Sequence, residues 1–436
     1  MKKKQKMIPA FTDGFFQTDG DHGFLPMEDP LPLLPAPYEA LQTLVDDLPT
    51  LVRGDEDTLQ KKVLSLEEIN VKPEDMPVRV VAALYRAYCF VASAYLLHPS
   101  HLHFLETKTY GVARDRLPRN IARPIVQLAD TLQVFPWLEY SFGYSLGNYV
   151  RKDTSRGLDY DNLEMACSFT GTDDETGFIM VHVDINQHSP SLIKTCNAFL
   201  RDFHENKNPL TSLEQIVKVL EAMNASRKKM WEASRWERYN DFRVFIMGSQ
   251  GNSRIFPHGV VYEPETEPRV YRGQSGSQDT IIPFLDTLFR VSDYYPDNEL
   301  TGYLMDMRKY RPKPFRDLLD WVDTDTRGLV EWVMTWKEST PLLCDVYRQI
   351  YEFRNGHWHF VQKYIMANTQ YPVATGGTPI VSWLPNQIHA TLAAMKRVLD
   401  SFSTYSLLQG SREAYDAMVK DLEKQKEAIQ ARYAKS

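Results

Sequence analysis

The residues of this chain with the clearest capacity for chemistry are His357 and Arg354, within residues 339–370. This segment has room for about eight turns of helix. Its apolar residues recur every three or four positions and are Leu343, Val346, Ile350, Phe353, Phe360 and Tyr364. His357 falls on the same stripe, so the spacing predicts that its ring points toward the core. Arg354 lies one turn away on nearly the same face, whereas His359 faces away.

Two interpretations of this pair are open. A buried imidazole with a guanidinium one turn away suits a flat, anionic cofactor that carries a metal. The imidazole can ligate iron while the arginine binds a peripheral carboxylate. Alternatively, His357 is an ordinary core histidine whose ring binds a backbone carbonyl, as buried polar groups usually do. The helix alone does not decide between the two.

The overall composition is that of a large globular protein, with 436 residues of which 43% are hydrophobic and 25% are charged. The formal net charge of −7 gives no indication of a nucleic-acid partner. No apolar run follows the N-terminal lysines, so a signal peptide is not expected. The four cysteines form no CxxC pair, which argues against a zinc site and predicts a reducing, cytoplasmic compartment.

The most apolar stretch, residues 80–97, carries Arg86 near its middle and several tyrosines. A charge at such a position is costly in a lipid bilayer. We therefore predict a buried helix of the protein core and no membrane span. Pro99 is expected to end this helix, which would place His101 and His103 on a loop.

Helical patterns dominate the chain, and no alternating strand pattern stands out in its C-terminal half. We therefore predict an all-α fold with two domains. Residues 1–165 form a small helical domain with an irregular, proline-rich start, and residues 166–436 form a large helical domain that holds the cofactor between long helices. The predicted helices are 38–51, 58–66, 78–97, 124–132, 137–150, 191–205, 211–247, 278–291, 299–309, 313–322, 327–336, 339–370, 385–405 and 411–435.

A further helix of the larger domain has a clear start signal. Thr172 and Glu175 form a capping box, in which each side chain satisfies a free backbone N–H of the first turn. The helix that follows presents one face formed by Phe178, His182 and Ile185. Residues 369–384 contain paired glycines that permit close backbone approach, which is typical of a lid.

Together, these motifs resemble the indoleamine 2,3-dioxygenases, a family of haem enzymes that opens the indole ring of tryptophan. Each motif is weak alone, but their order and spacing are specific. The resemblance begins at residues 23–26 and is carried by residues 168–169, 177–178, 259–263, 273–278, 305–310, 354–357, 363–365 and 374–378. It favours the cofactor-ligand interpretation of His357 over the core-histidine interpretation.

The resemblance implies a cofactor, haem b, and a role for individual residues. His357 would be the axial ligand of the haem iron, and Arg354 would pair with Asp286 near a haem propionate. Arg243 would bind the carboxylate of an amino-acid substrate, for which a planar guanidinium is suited. The other residues implied on the haem are Phe178, Ser275 and Gly276, and those implied on the substrate are Tyr239, Ser277, Thr375, Gly376, Gly377 and Thr378.

The chain departs from the family at His182, where a small residue is usual. A distal imidazole can donate a hydrogen bond to O₂, act as a base toward peroxide, or ligate the iron as a sixth ligand. Alternatively, a small shift in register turns His182 toward solvent or backbone.

A second departure is the segment Arg238-Tyr239-Asn240, where adjacent phenylalanines are usual. It predicts a more polar and more basic pocket, suited to a modified indole, another aromatic amino acid or a larger acidic substrate. Alternatively, Arg238 is a solvated helix residue.

Three functions remain open for a chain with this resemblance. The first is a dioxygenase that adds O₂ across the indole 2,3-bond of tryptophan or a related indole, which gives an N-formylkynurenine-type product. The second is a peroxide-driven monooxygenase that uses His182. The third is a non-enzymatic haem protein that binds a gas. The expected partners are a small aromatic substrate and O₂, and the oligomeric state is not predicted.

Overall fold

The computed structural model of the protein describes residues 7–369, Tyr371 and residues 373–433. The N-terminal lysines and the end of the predicted helix 411–435 lie outside the described residues. Helices dominate the described part and its strands are few and short, which confirms the predicted all-α fold. The helices are α1 (Glu39–Leu51), α2 (Glu56–Ser65), α3 (Val78–Thr107), α4 (Arg119–Leu132), α5 (Asp173–Asn186), α6 (Ser189–Glu205), α7 (Leu210–Lys228), α8 (Met230–Ala233), α9 (Asn240–Arg243), α10 (Ile281–Leu288), α11 (Glu299–Arg308), α12 (Lys313–Asp325), α13 (Leu329–Thr335), α14 (Thr340–Phe360), α15 (Ile380–Ser401) and α16 (Gln409–Tyr433).

Short strands tie distant parts of the chain together. They are β1 (Arg116–Leu117), β2 (Tyr149–Arg151), β3 (Leu163–Met165), β4 (Val260–Tyr262) and β5 (Pro268–Arg269). β1 runs parallel to β4, which is antiparallel to β5, and β2 pairs with β3. The β1–β4 pair joins the two predicted domains, and the division at residue 165 stays a prediction.

Helix α3 is the central helix of the first half of the chain, and its residues from Val81 to His98 are buried. By length and composition it could cross a membrane, yet 94% of its most apolar window is buried inside the protein, as predicted for a core helix. Arg86 is accommodated there because its guanidinium donates to the carbonyls of Gly147 and Leu31, each at 2.6 Å.

The prediction that α3 ends at Pro99 is wrong, because the helix continues through this proline to Thr107. His101 is therefore a buried helix residue, with its ring 4.8 Å from that of Phe245. Burial of the surrounding apolar residues outweighs the backbone hydrogen bond that a proline removes.

The prediction of a helix at residues 137–150 is also wrong. Only one wide turn, Tyr140–Tyr144, forms there, and the chain then enters β2. The Glu139 carboxylate accepts hydrogen bonds from the backbone N–H groups of Ser141 (2.6 Å) and Gly143 (2.7 Å). A side-chain acceptor of this kind competes with helical hydrogen bonds and closes a local turn instead.

The predicted helix 211–247 is divided into α7, α8 and α9. The chain is extended at Ser234, and both the backbone N–H and the guanidinium of Arg235 bind Asp174 at the start of α5. A tertiary contact thus overrides the helical pattern. Helices α4 and α15 begin before the predicted prolines, which lie inside them.

Helix α14 matches its predicted position, and a wide turn, Val361–Met366, continues it. It packs against α7 on one side and α15 on the other, while α5 packs against α7. Thr172 caps α5 as predicted, with its hydroxyl accepting from the backbone N–H of Glu175. The arrangement places both α5 and α14 in the walls of one cavity.

Candidate active site

The cavity between α5 and α14 encloses about 1520 Å³ of empty space, part of which is open to solvent. Loops at residues 274–279 and 374–378 and helix α10 complete its walls. The apolar lining residues are Phe178, Ile185, Met230, Ile282, Pro283, Leu304, Phe353, Phe360, Val361, Ile365 and Ala374. The polar lining residues include Tyr140, His182, Asn186, Arg227, Tyr239, Gln274, Ser275, Ser277, Asp279, Asp286, Arg354, His357, Tyr364, Thr375, Thr378 and Gln387.

His357 lines this cavity from α14, which confirms its predicted inward orientation, and His359 is exposed. Burial, with smaller contributions from His182 and Arg227, lowers the pKa of His357 to about 4. The ring is therefore neutral near pH 7, the state in which an imidazole ligates a metal. His357 has no hydrogen-bond partner among the residues that the structure describes, so it is not a core histidine bound to a carbonyl.

His182 lines the cavity from α5. Its Nδ1 lies 3.0 Å from the carbonyl oxygen of Phe178, and because a carbonyl only accepts, this contact assigns the ring hydrogen to Nδ1. Burial lowers the pKa of His182, against a partial opposing effect of Asp279, so the ring is neutral. Nε2 is then a free acceptor. A Cβ atom on Gly276 would lie 3.8 Å from this Nε2.

Arg354 and Asp286 form the predicted ion pair across the cavity wall, with side chains only 3% and 1% exposed. The Tyr295 hydroxyl also donates to Asp286, and Arg354 donates to the Thr391 hydroxyl. Arg354 Nε and Asp286 Oδ1 are buried without a partner in the described part of the chain. The position of Arg354 near a haem propionate stays a prediction.

Arg227 is a lining residue that the sequence analysis missed. Its side chain is buried, and a Cβ atom on Gly356 would lie only 1.8 Å from its Nη1. The guanidinium thus fills the space that the glycine leaves beside His357. No carboxylate of the described residues lies within ion-pair distance of Arg227, so an anionic ligand in the cavity would be attracted to it. Nothing in the local sequence signals this contact.

Arg243 is fully buried but does not line the cavity. Its guanidinium donates to the Tyr110 hydroxyl at 3.2 Å and to the Val373 carbonyl at 2.8 Å, and Nε has no partner among the described residues. Its role in carboxylate binding stays a prediction.

The pocket beside Arg243 is aromatic. Tyr239 lines it, with its ring 4.8 Å from that of Phe178. Arg238 instead forms a half-exposed ion pair with Asp241 at 2.7 Å. The prediction that Arg238 makes the pocket basic is wrong, because the helical turn directs its side chain outward.

The loops at residues 274–279 and 374–378 meet over the cavity. Ser275, Gly276, Ser277, Thr375 and Thr378 line it, and the Thr375 hydroxyl donates to the Gln274 carbonyl at 2.7 Å. Their contacts with haem and substrate stay a prediction.

Gly376 and Gly377 do not line the described cavity. A Cβ atom on Gly376 would lie 2.1 Å from Met307 Cε. Gly377 has φ +81°, and a Cβ atom on it would lie 2.2 Å from the carbonyl oxygen of Gln250. Their direct contact with substrate stays a prediction.

A polar cluster at one end of the cavity was also missed. The carboxylate of Asp279 accepts from the Tyr140 hydroxyl (3.0 Å) and from the Asn186 amide (2.9 Å). Helical spacing could have identified Asn186, which lies one turn after His182 on α5. Tyr140 and Asp279 come from other parts of the chain.

The lining residues suit a cofactor that carries its own metal. The described residues contain no group of three His, Cys, Asp or Glu side chains that could hold a metal ion alone. A haem iron needs a single protein ligand, and the neutral, unpartnered ring of His357 supplies one. The absence of a side chain at Gly276 leaves the space between His182 and His357 open.

Comparison with known proteins gives one consistent result. The family model for indoleamine 2,3-dioxygenase matches residues 14–399. The Saccharomyces cerevisiae indoleamine 2,3-dioxygenase is 26% identical over 79% of this chain and 78% of its own. The Rattus norvegicus indoleamine 2,3-dioxygenase 1 is 26% identical over 70% and 72%, and a 6-hydroxytryptophan 2,3-dioxygenase of Fusarium equiseti is 26% identical over 68% and 70%.

The matched region includes both walls of the cavity and both loops that close it, so the similarity extends over the whole site. The family consists of haem-dependent dioxygenases, and the chain is an enzyme of this kind. The protein therefore belongs to the indoleamine 2,3-dioxygenase family.

Proposed function

We propose that this enzyme adds both atoms of O₂ across the indole 2,3-bond of tryptophan or a related indole, with haem b as its cofactor. The observation that carries the proposal is the neutral, unpartnered imidazole of His357, which faces a largely apolar cavity that His182 also lines. Related indoles include 6-hydroxytryptophan, for which the Fusarium relative is named.

In this proposal His357 holds the haem iron, and Arg354 and Arg227 interact with the anionic cofactor at the cavity walls. When bound, haem supplies the iron at which O₂ is activated. The protein supplies the binding, orientation and dry surroundings that the reaction needs.

The aromatic rings of Phe178 and Tyr239 form the wall against which an indole ring packs. His182 Nε2, as a free acceptor, holds the indole N–H and so fixes the orientation of the ring. Thr375 and Thr378 close the cavity, and Arg243 receives the substrate carboxylate after a local rearrangement of residue 373. No side chain has to act as an acid or base.

We further propose a cytoplasmic location and a small aromatic substrate with O₂ as the partners. The four cysteines are buried free thiols, which supports a reducing compartment.

The test is to reconstitute the full chain with hemin and to record absorbance spectra before and after addition of dithionite. Tryptophan is then added to the ferrous form in air. We expect a haem spectrum, consumption of O₂ and a ring-opened formyl product. A preparation that does not take up hemin, or a ferrous haem protein that consumes no O₂ with any indole, would contradict the proposal.

A second candidate function has one specific observation in its favour. The free Nε2 of His182 is an acceptor inside the cavity, and such an imidazole can take a proton from hydrogen peroxide. A peroxide-driven monooxygenase would turn over an aromatic substrate in the ferric state with hydrogen peroxide and would not need dithionite. Turnover only in the ferrous state with O₂ excludes it.

A further inference from the structure

Arg227 brings a buried positive charge into the cavity wall. It lies in α7, is only 5% exposed and lines the cavity. The described residues offer its guanidinium no ion-pair partner, and the exposed Glu352 of α14 acts on it only at longer range. Burial lowers the pKa of Arg227 to about 10, so the group stays charged near pH 7.

Arg354, which also lines the cavity, differs in this respect. Its guanidinium donates to the Asp286 carboxylate, and both side chains are almost fully buried. Two opposite charges in contact largely cancel each other at a longer distance. Of these two arginines, Arg227 is therefore the one whose charge is not balanced by a carboxylate of the described residues.

The Arg227 guanidinium lies against α14 on both sides of His357 in the sequence. A Cβ atom on Gly356 would lie 1.8 Å from its Nη1, and its central carbon lies 5.6 Å from the centre of the Phe360 ring. The charge also reaches the ring of His357. Burial is the main cause that lowers the pKa of this ring, and Arg227 adds to it.

The position of the guanidinium is fixed from α7. Arg227 Nε donates to the side-chain oxygen of Asn224 at 3.3 Å. The Asn224 amide nitrogen donates in turn to the backbone carbonyl of Gln349 at 3.1 Å, which holds the oxygen toward Arg227. Because α7 packs closely against α14, the charge keeps its place relative to His357.

A fixed cation near an axial ligand changes the balance between the two oxidation states of a haem iron. Ferric iron carries one positive charge more than ferrous iron, so a nearby cation disfavours the ferric state. Reduction takes up one electron from the donor. It takes up no proton at Arg227, because the guanidinium is protonated in both states.

We infer that Arg227 raises the reduction potential of the haem iron that His357 holds in the proposed function, and so favours the ferrous state. The inference rests on the proposed function and assigns to Arg227 an action on the iron rather than on a haem propionate. In a partly buried site, an unbalanced unit charge about 10 Å from the centre on which it acts changes an equilibrium by about tenfold. For a one-electron couple, a tenfold change corresponds to about 59 mV.

The experiment uses the full chain reconstituted with hemin, without O₂ or substrate. The midpoint potential of the haem is measured by absorbance, as dithionite is added in the presence of a dye of known potential. Arg227→Gln is the informative variant, because glutamine keeps an N–H donor at the position of Nε and removes the charge. We expect the ratio of ferrous to ferric haem at a fixed solution potential to fall by about tenfold.

Two further variants separate charge from structure. Arg227→Lys keeps the charge without the planar guanidinium, and we expect it to restore most of the wild-type potential. Lys228→Met removes a charge from the next residue of α7, whose side chain is exposed, and is the matched control. Solvent screens an exposed charge, so this variant is expected to keep the wild-type potential. A shift in Lys228→Met as large as that in Arg227→Gln overturns the inference, because the position of the charge would then not matter.

The remaining outcomes are equally decisive. An unchanged potential in Arg227→Gln overturns the inference and leaves the proposed function intact. A folded Arg227→Gln protein that takes up little hemin also overturns it, because Arg227 would then hold the cofactor through a propionate. If wild-type protein takes up no hemin, the proposed function fails and this inference fails with it.

Asn224→Asp provides the test if Arg227→Gln does not fold. This variant leaves the guanidinium in place and puts a carboxylate at the 3.3 Å contact with Nε, so the charge of Arg227 is balanced. We expect the potential to fall in the same direction as in Arg227→Gln. A potential equal to that of the wild type would overturn the inference.

Discussion

His182 Nε2 and His357 Cε1 both come close to one position, 3.8 Å and 3.9 Å from the place that a Cβ atom on Gly276 would occupy. The two imidazoles come from α5 and α14, and both line the cavity. Their separation cannot exceed the sum of these two distances. Two neutral histidines therefore reach the same part of the cavity.

This geometry predicts different effects for two neighbouring histidines. His357→Ala is expected to purify with little haem and to regain little on addition of hemin, because it removes the ring that would ligate the iron. His359→Ala, two residues away on the exposed face of α14, is the control and is expected to retain the wild-type haem content. The measurement is the ratio of haem to protein absorbance, and equal ratios for the two variants would remove His357 from the ligand role.

The helix faces that carry His357 and His182 were predictable from the sequence, because they depend on local periodicity. The three- and four-residue spacing of α14 predicts the inward ring of His357 and the outward ring of His359. The capping signal at Thr172 predicts the start of α5 and thus the face that carries His182.

The rest depends on contacts between residues far apart in sequence, which leave no local pattern. Arg227 occupies the space above Gly356 only because α7 and α14 pack together. Asp279 and Asn186 meet across two walls of the cavity. The break that ends the predicted helix 211–247 likewise depends on the contact of Arg235 with Asp174. Helical periodicity carries no information about such contacts.

The buried ion pair between Arg354 and Asp286 predicts a large cost for removing one partner. Arg354→Met leaves the Asp286 carboxylate buried without its counter-ion, and we expect a loss of about 3–5 kcal/mol in the free energy of unfolding. The double variant Arg354→Met/Asp286→Leu is expected to recover a large part of this loss, because no charge remains buried. Urea unfolding of the haem-free protein measures the free energy of unfolding of each variant. Lys396→Met, at the exposed pair with Asp400, is the control, and a similar loss there would show that burial is not the cause.

Gly177 predicts a second stability effect, through the packing of α5 on α8. A Cβ atom on Gly177 would lie 1.9 Å from the Ala233 carbonyl oxygen. Because this oxygen belongs to the backbone of α8, the clash is relieved only if α5 and α8 move apart. We expect Gly177→Ala to destabilise the protein by about 1–3 kcal/mol or more and to lower haem uptake, since α5 carries His182. Gly302→Ala in α11 has no atom within 4 Å of the new Cβ and is expected to stabilise by about 0.5–1 kcal/mol. The midpoint of chemical unfolding is measured for both variants. If both substitutions shift the midpoint in the same direction, the packing argument is contradicted.

His101 predicts how stability depends on pH. Burial, with a smaller contribution from His98, lowers the pKa of His101 from 6.5 to about 4 in the folded protein. Between these two values the unfolded chain binds a proton that the folded chain does not, so stability falls as the pH decreases from 6.5 to 4. The contribution of this residue is at most roughly 3 kcal/mol. His101→Phe, which keeps an aromatic ring against Phe245, is expected to flatten the dependence, and His359→Gln is the control. An unchanged slope in His101→Phe would assign the acid sensitivity to other groups.

Arg243 offers a test that separates substrate binding from structure. The guanidinium is fully buried against Tyr110 and Val373, so Arg243→Ala removes two hydrogen bonds as well as a charge. If the residue receives the substrate carboxylate, the variant raises KM for tryptophan far more than for tryptamine, which lacks that carboxylate; one charge-assisted hydrogen bond contributes about 1.5–3 kcal/mol. If the residue is only structural, KM changes equally for both substrates and the unfolding midpoint falls.

Arg243→Lys keeps the charge but not the planar geometry and is expected to restore part of the discrimination between the two substrates. Equal KM values for tryptophan and tryptamine in the wild-type enzyme would themselves exclude a carboxylate contact, because no residue would then be recognising that group.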